Sequence, residues 1–219
     1  MTLTRARADQ VIASFAGKRI LVLGDIMLDE FIWGRVRRIS PEAPVPVVEV
    51  TRESYQLGGA GNVVANISAL GAIPIPVGLV GDDYAARRLS ELLDKQGIEA
   101  SGLVTAPGRA TTMKTRIVAQ NQQIVRADRE NKTPLTDERN GALLDAFLKS
   151  LPSTAAVIVS DYNKGVVNKG LMSQALPAAR RAGIPVLLDP KVYNADYYNP
   201  ITVITPNQHE AELITGMRE

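Results

Sequence analysis

The sequence predicts an α/β protein: a doubly wound, mainly parallel sheet with an inserted β-lid. Three observations carry that prediction. Arg19–Gly24 (RILVLG) is apolar almost throughout and ends in glycine, the pattern of a parallel strand buried on both faces. From the centre of the chain onward, strand patterns alternate with helix patterns, as βαβ units do. Two stretches, about 31–50 and 100–130, break this rhythm and read as sheet outside the main one.

Composition bounds the function. The chain has 219 residues, enough for one sizeable core, and 45% apolar with 22% charged residues suits a globular domain rather than a disordered one. We read 1–219 as part of a single domain with no repeat or linker. A net charge of +2 offers no polyelectrolyte argument for nucleic acid. With no cysteine there is no disulfide, thiolate metal site or cysteine nucleophile. No apolar run approaches the roughly 18 residues a membrane helix needs. The first residues, MTLTRARADQVIASFAGKR, lack the apolar core of a secretory signal, so a cytoplasmic location is expected.

The elements follow in order. Residues 9–15 read as a short amphipathic helix, and Arg19–Gly24 as the first strand. Residues 31–50 carry Pro41, Pro44 and Pro46, which exclude a helix and disfavour a central strand, leaving an edge hairpin or flap. The stretch 56–83 opens with Gly58, Gly59, Gly61 and Asn62. These glycines predict a loop whose backbone approaches a polar ligand closely. A helix over 63–70 then stops at Gly71, a buried strand spans 73–79, and Gly81-Asp82-Asp83 turns the chain. Residues 83–97 form a helix with Leu89, Leu92 and Leu93 as its apolar stripe. In 111–130, the segments 114–118 and 123–127 flank the polar turn 119–122 as a hairpin. A helix over 136–151 takes Thr136 or Asp137 as its cap. Strands over 155–160, 185–188 and 201–204 alternate with helices over 168–182 and 210–215.

Four predicted strand ends carry polar clusters: Asp25/Asp29, Asp161/Lys164, Asp189/Lys191 and Asn207/Glu210. Each alone reads as a solvated loop. Together they point to a ligand crevice, because open α/β sheets bind ligands outside the carboxyl ends of their strands. Of the first pair, Asp25 is the better candidate for a turn cap and Asp29 for a ligand group. Lys164, Lys114, Arg116 and Arg126 are cations able to hold a phosphate as point charges. Arg126 reads equally as a solvated strand-face cation. His209 is the single histidine and reads as a surface or ligand-neighbouring residue rather than a base.

The run Gly-Gly-x-x-Asn, a helix, Leu-Gly-Ala and Gly-x-Val-Gly-Asp-Asp in residues 58–83 resembles the first signature of the ribokinase-like (PfkB) sugar kinases. Gly61 departs from it, since that family more often has alanine or proline there. Asn207-Gln208-His209-Glu210 resembles the family's Asn-x-x-Glu motif. The segments 24–29, 38–47, 160–165 and 189–191 narrow the likeness to heptose-phosphate kinases of lipopolysaccharide synthesis, with coverage from about residue 18 to the end.

The resemblance implies a ribokinase-like fold. It also implies transfer of a phosphoryl group from ATP, with Mg2+, to O1 of D-glycero-β-D-manno-heptose 7-phosphate. On the same basis Asp29, Gly58, Gly59, Asn62 and Asp161 contact the sugar, while Lys114 and Lys164 hold its phosphate. Asn207, Gln208, His209 and Glu210 lie at the nucleotide end, with Glu210 reaching the metal through water. The lid implies a homodimer.

The family's second signature, Gly-Ala-Gly-Asp, supplies its catalytic base and does not occur in the sequence. The expectation is therefore that the carboxyl-terminal part of the domain is absent, that the base lies beyond Glu219, and that the chain alone turns over little substrate. Two other readings stay open: another sugar or sugar-phosphate kinase of the same family, and a non-catalytic sugar-binding or dimerisation fragment. A Rossmann dehydrogenase fits poorly, because GGAGN is not Gly-x-Gly-x-x-Gly and does not follow the first strand.

Overall fold

A computed structural model describes residues 4–217. In chain order the elements are α1 (Arg5–Ala13), β1 (Arg19–Gly24), β2 (Ile26–Ile39), β3 (Pro46–Gly59), α2 (Ala60–Ala69), β4 (Ile73–Val80), α3 (Tyr84–Lys95) and β5 (Leu103–Thr105). There follow β6 (Met113–Ala119), β7 (Gln122–Arg129), α4 (Asp137–Ser150), β8 (Ala156–Ser160), α5 (Lys169–Arg181), β9 (Val186–Asp189), β10 (Val203–Ile204) and α6 (Gln208–Thr215).

The main sheet has the order β10-β9-β8-β1-β4-β5, with every neighbouring pair parallel. β1 is central and its residues alternate between two cores. Leu21 and Leu23 pack with Leu143 and Phe147 of α4 and Leu171 and Leu176 of α5. Val22 faces the other way, with Val64 of α2 and Leu89 and Leu93 of α3. Burial on both faces is why RILVLG carries no alternating polar residue in its interior. From β1 the chain moves outward to β4 and β5, then returns to place β8 on the opposite side of β1. The topological switch therefore lies between β1 and β8, where Gly24 pairs with Ser160.

The second sheet has the order β3-β2-β6-β7. Its root is the carboxyl edge of the main sheet: β2 starts one residue after β1 ends, and β3 runs straight into α2. The β2–β3 hairpin is antiparallel over its length. β6 runs parallel to β2 only from Leu28 to Gly34, so the hairpin projects past it.

Several sequence expectations need correction. The lid strands are longer than 31–50 allowed: β2 starts at Ile26 and β3 reaches Gly59. Pro46 is tolerated as the first residue of β3, on the outer strand of its sheet. Gly58 and Gly59 thus end a strand and do not form a loop, and α2 begins three residues early, at Ala60. The stretch 100–130 divides, because Leu103–Thr105 joins the main sheet beside β4. The β6–β7 turn is tighter than predicted, only Gln120 and Asn121, both at positive φ (51° and 63°), as a two-residue primed turn requires. The first helix starts at Arg5, capped by Thr4, and buries none of its residues, so it is not amphipathic packing. Among the described residues no helix is long and apolar enough to cross a membrane.

Candidate active site

The switch point is closed by Asp25, which is almost completely buried. Its carboxylate accepts from the backbone N–H groups of Tyr162 (2.9 Å), Lys164 (3.0 Å) and Val166 (3.1 Å), all in the loop after β8. Burial pushes its carboxyl above the ordinary 3.8, and the three donors oppose that. Asp25 therefore stitches β1 to the β8 loop, the turn-holding role that the sequence favoured for it.

Asp161 corrects an expectation. It has no exposed surface, and its carboxylate is consumed by Asn194 Nδ2 (2.7 Å), Tyr198 Oη (2.7 Å) and the Asn163 N–H (2.6 Å). It holds the loop after β9 in place and offers nothing to a sugar. A buried carboxylate must spend its lone pairs on local donors, and the sequence did not show that Tyr198 returns to supply one.

Asp29 is different. It lies on β2 at the root of the lid, partly exposed, with Arg116 Nη1 at 2.8 Å. Strand register groups the residues around it. Gln56, Asp29, Lys114 and Asp128 form one row across β3, β2, β6 and β7, and Ser54, Phe31, Arg116 and Arg126 form the next. Directly opposed residues point to the same side of a sheet, so these eight share one face. Phe31 stacks on Trp33 at 5.9 Å, with Arg116 over Phe31 (5.2 Å) and Arg52 over Trp33 (4.9 Å). The face thus presents four cations, Arg52, Lys114, Arg116 and Arg126, against two carboxylates, Asp29 and Asp128.

The expected phosphate-holding cations are all paired. Lys114 Nζ meets Asp128 at 2.9 Å, and Arg126 donates to both oxygens of the same carboxylate (2.8 and 3.1 Å). Lys114 is the main cause that holds Asp128 below the usual carboxylate range, with Arg126 adding to it. Lys164 Nζ lies 2.5 Å from Glu130, which also pairs with Lys132 at 2.9 Å. Gly58 and Gly59 are buried and Asn62 is exposed on the first turn of α2.

After β10, Asn207 caps α6. Its side chain accepts from the Glu210 N–H (2.9 Å), and Glu210 Oε2 accepts from the Asn207 N–H (3.1 Å), a reciprocal capping box. Glu210 Oε1 takes Lys191 Nζ at 2.6 Å. Lys191 holds the Glu210 carboxyl below its ordinary 4.5, and Glu210 raises Lys191 in return. Gln208 bonds to Glu212 (3.0 Å), and His209 is exposed. Among the described residues no three His, Cys, Asp or Glu side chains gather as a metal site. Both Glu210 oxygens are already engaged, by Lys191 and by the Asn207 N–H, so this carboxylate would serve magnesium only as an outer partner.

Sequence reasoning missed Tyr162 as a site residue. Its ring is half-buried with Lys191 Nζ 6.0 Å from the centroid. Burial raises its phenol, Asp189 adds to that, and Lys191 opposes it. The available signal was an aromatic residue inside a polar strand-end cluster. Asp128 and Glu130 were also missed. Asp128 alternates with cations along β7, which is how an ion-paired face reads in sequence, and Glu130 follows just past the strand end.

Residues 18–219 match the family described as pfkB family carbohydrate kinase. The bifunctional protein HldE of Caulobacter vibrioides is 48% identical over 207 residues, covering 94% of this chain and 42% of that protein. Its namesake in Wolinella succinogenes is 43% identical over 94% of this chain and 44% of the relative. The chain thus spans less than half the length of these relatives. Among solved structures, Arabidopsis thaliana ribokinase complexed with ribose and ATP superposes with a TM-score of 0.64 at 18% identity, over 92% of this chain and 64% of that one. The likeness to ribokinase shows a shared fold, of which the chain holds part.

Proposed function

The chain belongs to the pfkB family of carbohydrate kinases, and from that premise we propose that the intact protein phosphorylates O1 of D-glycero-β-D-manno-heptose 7-phosphate with ATP. One observation carries the choice of a sugar that is already phosphorylated: the cations Lys114, Arg116 and Arg126, which share the lid face with Asp29. A neutral sugar asks for hydroxyl acceptors such as Asp29, whereas a phosphate monoester asks for cations. The relatives named bifunctional protein HldE agree with a kinase half in a longer protein.

In this reading Asp29 accepts from the sugar hydroxyls, and the absent side chain of Gly58 leaves the approach to it open. Gly59 and Asn62, at the start of α2, complete the sugar side. Lys114 and Lys164 face the existing phosphate. Asn207, Gln208, His209 and Glu210 serve the nucleotide end, where magnesium would neutralise phosphate charge as the phosphoryl group moves. The lid sheet, rooted beside the crevice, excludes water so that ATP is not lost to hydrolysis. Gly-Ala-Gly-Asp does not occur in these residues, so the reading places the general base outside them and expects little turnover from the 219 residues alone. The projecting hairpin, with Ile39, Val45 and Val50 exposed, is the proposed homodimer contact, and the setting is cytoplasmic. The test is ADP release by the complete protein. Release with heptose 7-phosphate supports the reading, whereas release only with fructose phosphates, ribose or a nucleoside replaces the substrate.

A further inference from the structure

The proposed function leaves two lysines to hold the sugar's phosphate, and they are not equivalent. Lys164 is enclosed. Its backbone N–H is fixed by Asp25, its carbonyl accepts from Arg109, and its ammonium is held by Glu130. Lys114 and Arg126 instead share one carboxylate between them, with both oxygens of Asp128 engaged. Two convergent cations around a planar anion form the arrangement that binds a phosphate monoester.

Position strengthens the case. Asp128 lies in the same row as Asp29, with Lys114 between them. Adjacent strands lie about 4.8 Å apart, so Asp128 stands about 10 Å from Asp29. That span suits a ring hydroxyl at one end and a phosphate on an extended exocyclic arm at the other. β7 is also the outer strand of its sheet, so its side chains have an open flank into which Asp128 can turn. Asp128 and Arg126 are the more exposed members of the trio, at 26% and 50%, against 15% for Lys114.

We propose that Lys114 and Arg126 form the subsite for the phosphate already on the sugar, and that Asp128 occupies this subsite as an internal anion until substrate phosphate displaces it. The proposal rests on the sugar-phosphate reading above, puts Arg126 in place of Lys164 as the second phosphate cation, and adds a gate. Asp128 keeps the lid face from collecting other anions and lowers the affinity for small ones. An anion that also engages Asp29 through its hydroxyls overcomes the gate. A free phosphate ion does so poorly.

The test titrates the protein with inorganic phosphate at low ionic strength and follows heat or amide shifts, so it needs no turnover. In Asp128→Asn, an isosteric change whose folding is checked by thermal melt, phosphate is expected to bind roughly tenfold tighter than in the parent protein. Adding Lys114→Gln to Asp128→Asn is expected to erase the gain. An unchanged affinity in Asp128→Asn, or a gain that survives loss of Lys114, overturns the subsite. The two readings fail separately. A flat phosphate titration beside turnover of a sugar phosphate by the complete protein removes only the subsite. Turnover confined to unphosphorylated sugars removes the sugar-phosphate reading itself.

Discussion

Gly58 stands against Asp29 so closely that a Cβ on the glycine would lie 2.8 Å from both Cγ and Oδ2 of the carboxylate. The two residues sit on adjacent antiparallel strands, with Gly58 opposite Met27 and Asp29 opposite Gln56. Glycine is needed here for space. Any side chain pushes the carboxylate off its position and away from Arg116. Gly58→Ala is therefore expected to raise the KM for the sugar at least tenfold in the complete enzyme, roughly 1.4 kcal/mol of binding, with little change in melting temperature. Kinetics on the variant decide it. An unaltered KM means the carboxylate does not contact sugar.

Asp25 and Asp29 are four residues apart and should behave oppositely. Removing the Asp25 carboxylate leaves the N–H groups of Tyr162, Lys164 and Val166 without partners in a buried setting. Each such loss costs on the order of 1 kcal/mol or more, so Asp25→Ala should destabilise the fold by about 3 kcal/mol. Asp29→Ala touches only one partly exposed pair and should cost under about 1 kcal/mol while abolishing sugar binding. Urea unfolding of both variants, beside a sugar titration of the second, separates a structural carboxylate from a ligand one.

The Asn207–Glu210 box makes a pH-dependent prediction. The folded carboxyl of Glu210 titrates below its ordinary 4.5, with Lys191 as the main cause. A depressed folded value means that the unfolded chain binds protons first as pH falls. The stabilisation is thus fully present above about pH 4.5 and is lost as pH drops through the folded value. Glu210→Gln should lower the melting temperature at pH 7, and its gap from the parent protein should close below pH 4.5. Asn207→Ala removes the cap and should cost about 1 kcal/mol at either pH. A gap for Glu210→Gln that stays constant with pH would show that its charge adds nothing.

The fold was legible where periodicity is strong. Arg19–Gly24 has no polar residue in its interior because both its faces are buried, and the stripe of Leu89, Leu92 and Leu93 predicted α3, with Leu89 and Leu93 fully buried and Leu92 partly so. The boundaries at Gly58 and Gly59 were misjudged because a glycine pair reads the same way in a loop as at a strand end. Gly59 takes φ 56° while leaving β3 for α2, a conformation that fits either reading. The site was legible as strand-end chemistry but not as contacts. Sequence spacing pointed to Asp161 because of its strand end. It could not show that Asn194 and Tyr198, 33 and 37 residues away, fold back to bury it. Nor could it show that cations on β6 and β7 would meet carboxylates across a register that only the hairpin turn determines.

Arg109 is the clearest product of such long-range closure. It is 7% exposed and pairs with no carboxylate among the described ion pairs. Its guanidinium donates to three carbonyls: Asn131 (2.6 Å), Thr133 (2.7 Å) and Lys164 (2.8 Å). Burial pulls its pKa down, and the nearby Arg139 charge adds to that. The side chain ties the exit of the lid to the loop after β8, beside the Glu130–Lys164 pair that joins the same two segments. Arg109→Met fills much of the same volume but leaves those carbonyls without donors, at a cost of about 2–3 kcal/mol. If Arg109 couples the segments, backbone amides at 131–133 and at 164–166 should lose hydrogen-exchange protection together and by similar factors. Arg109→Lys, which cannot span three acceptors in a fixed fork, should restore only part of it. Loss confined to one segment would reduce Arg109 to a local prop and leave the lid free to move without the loop.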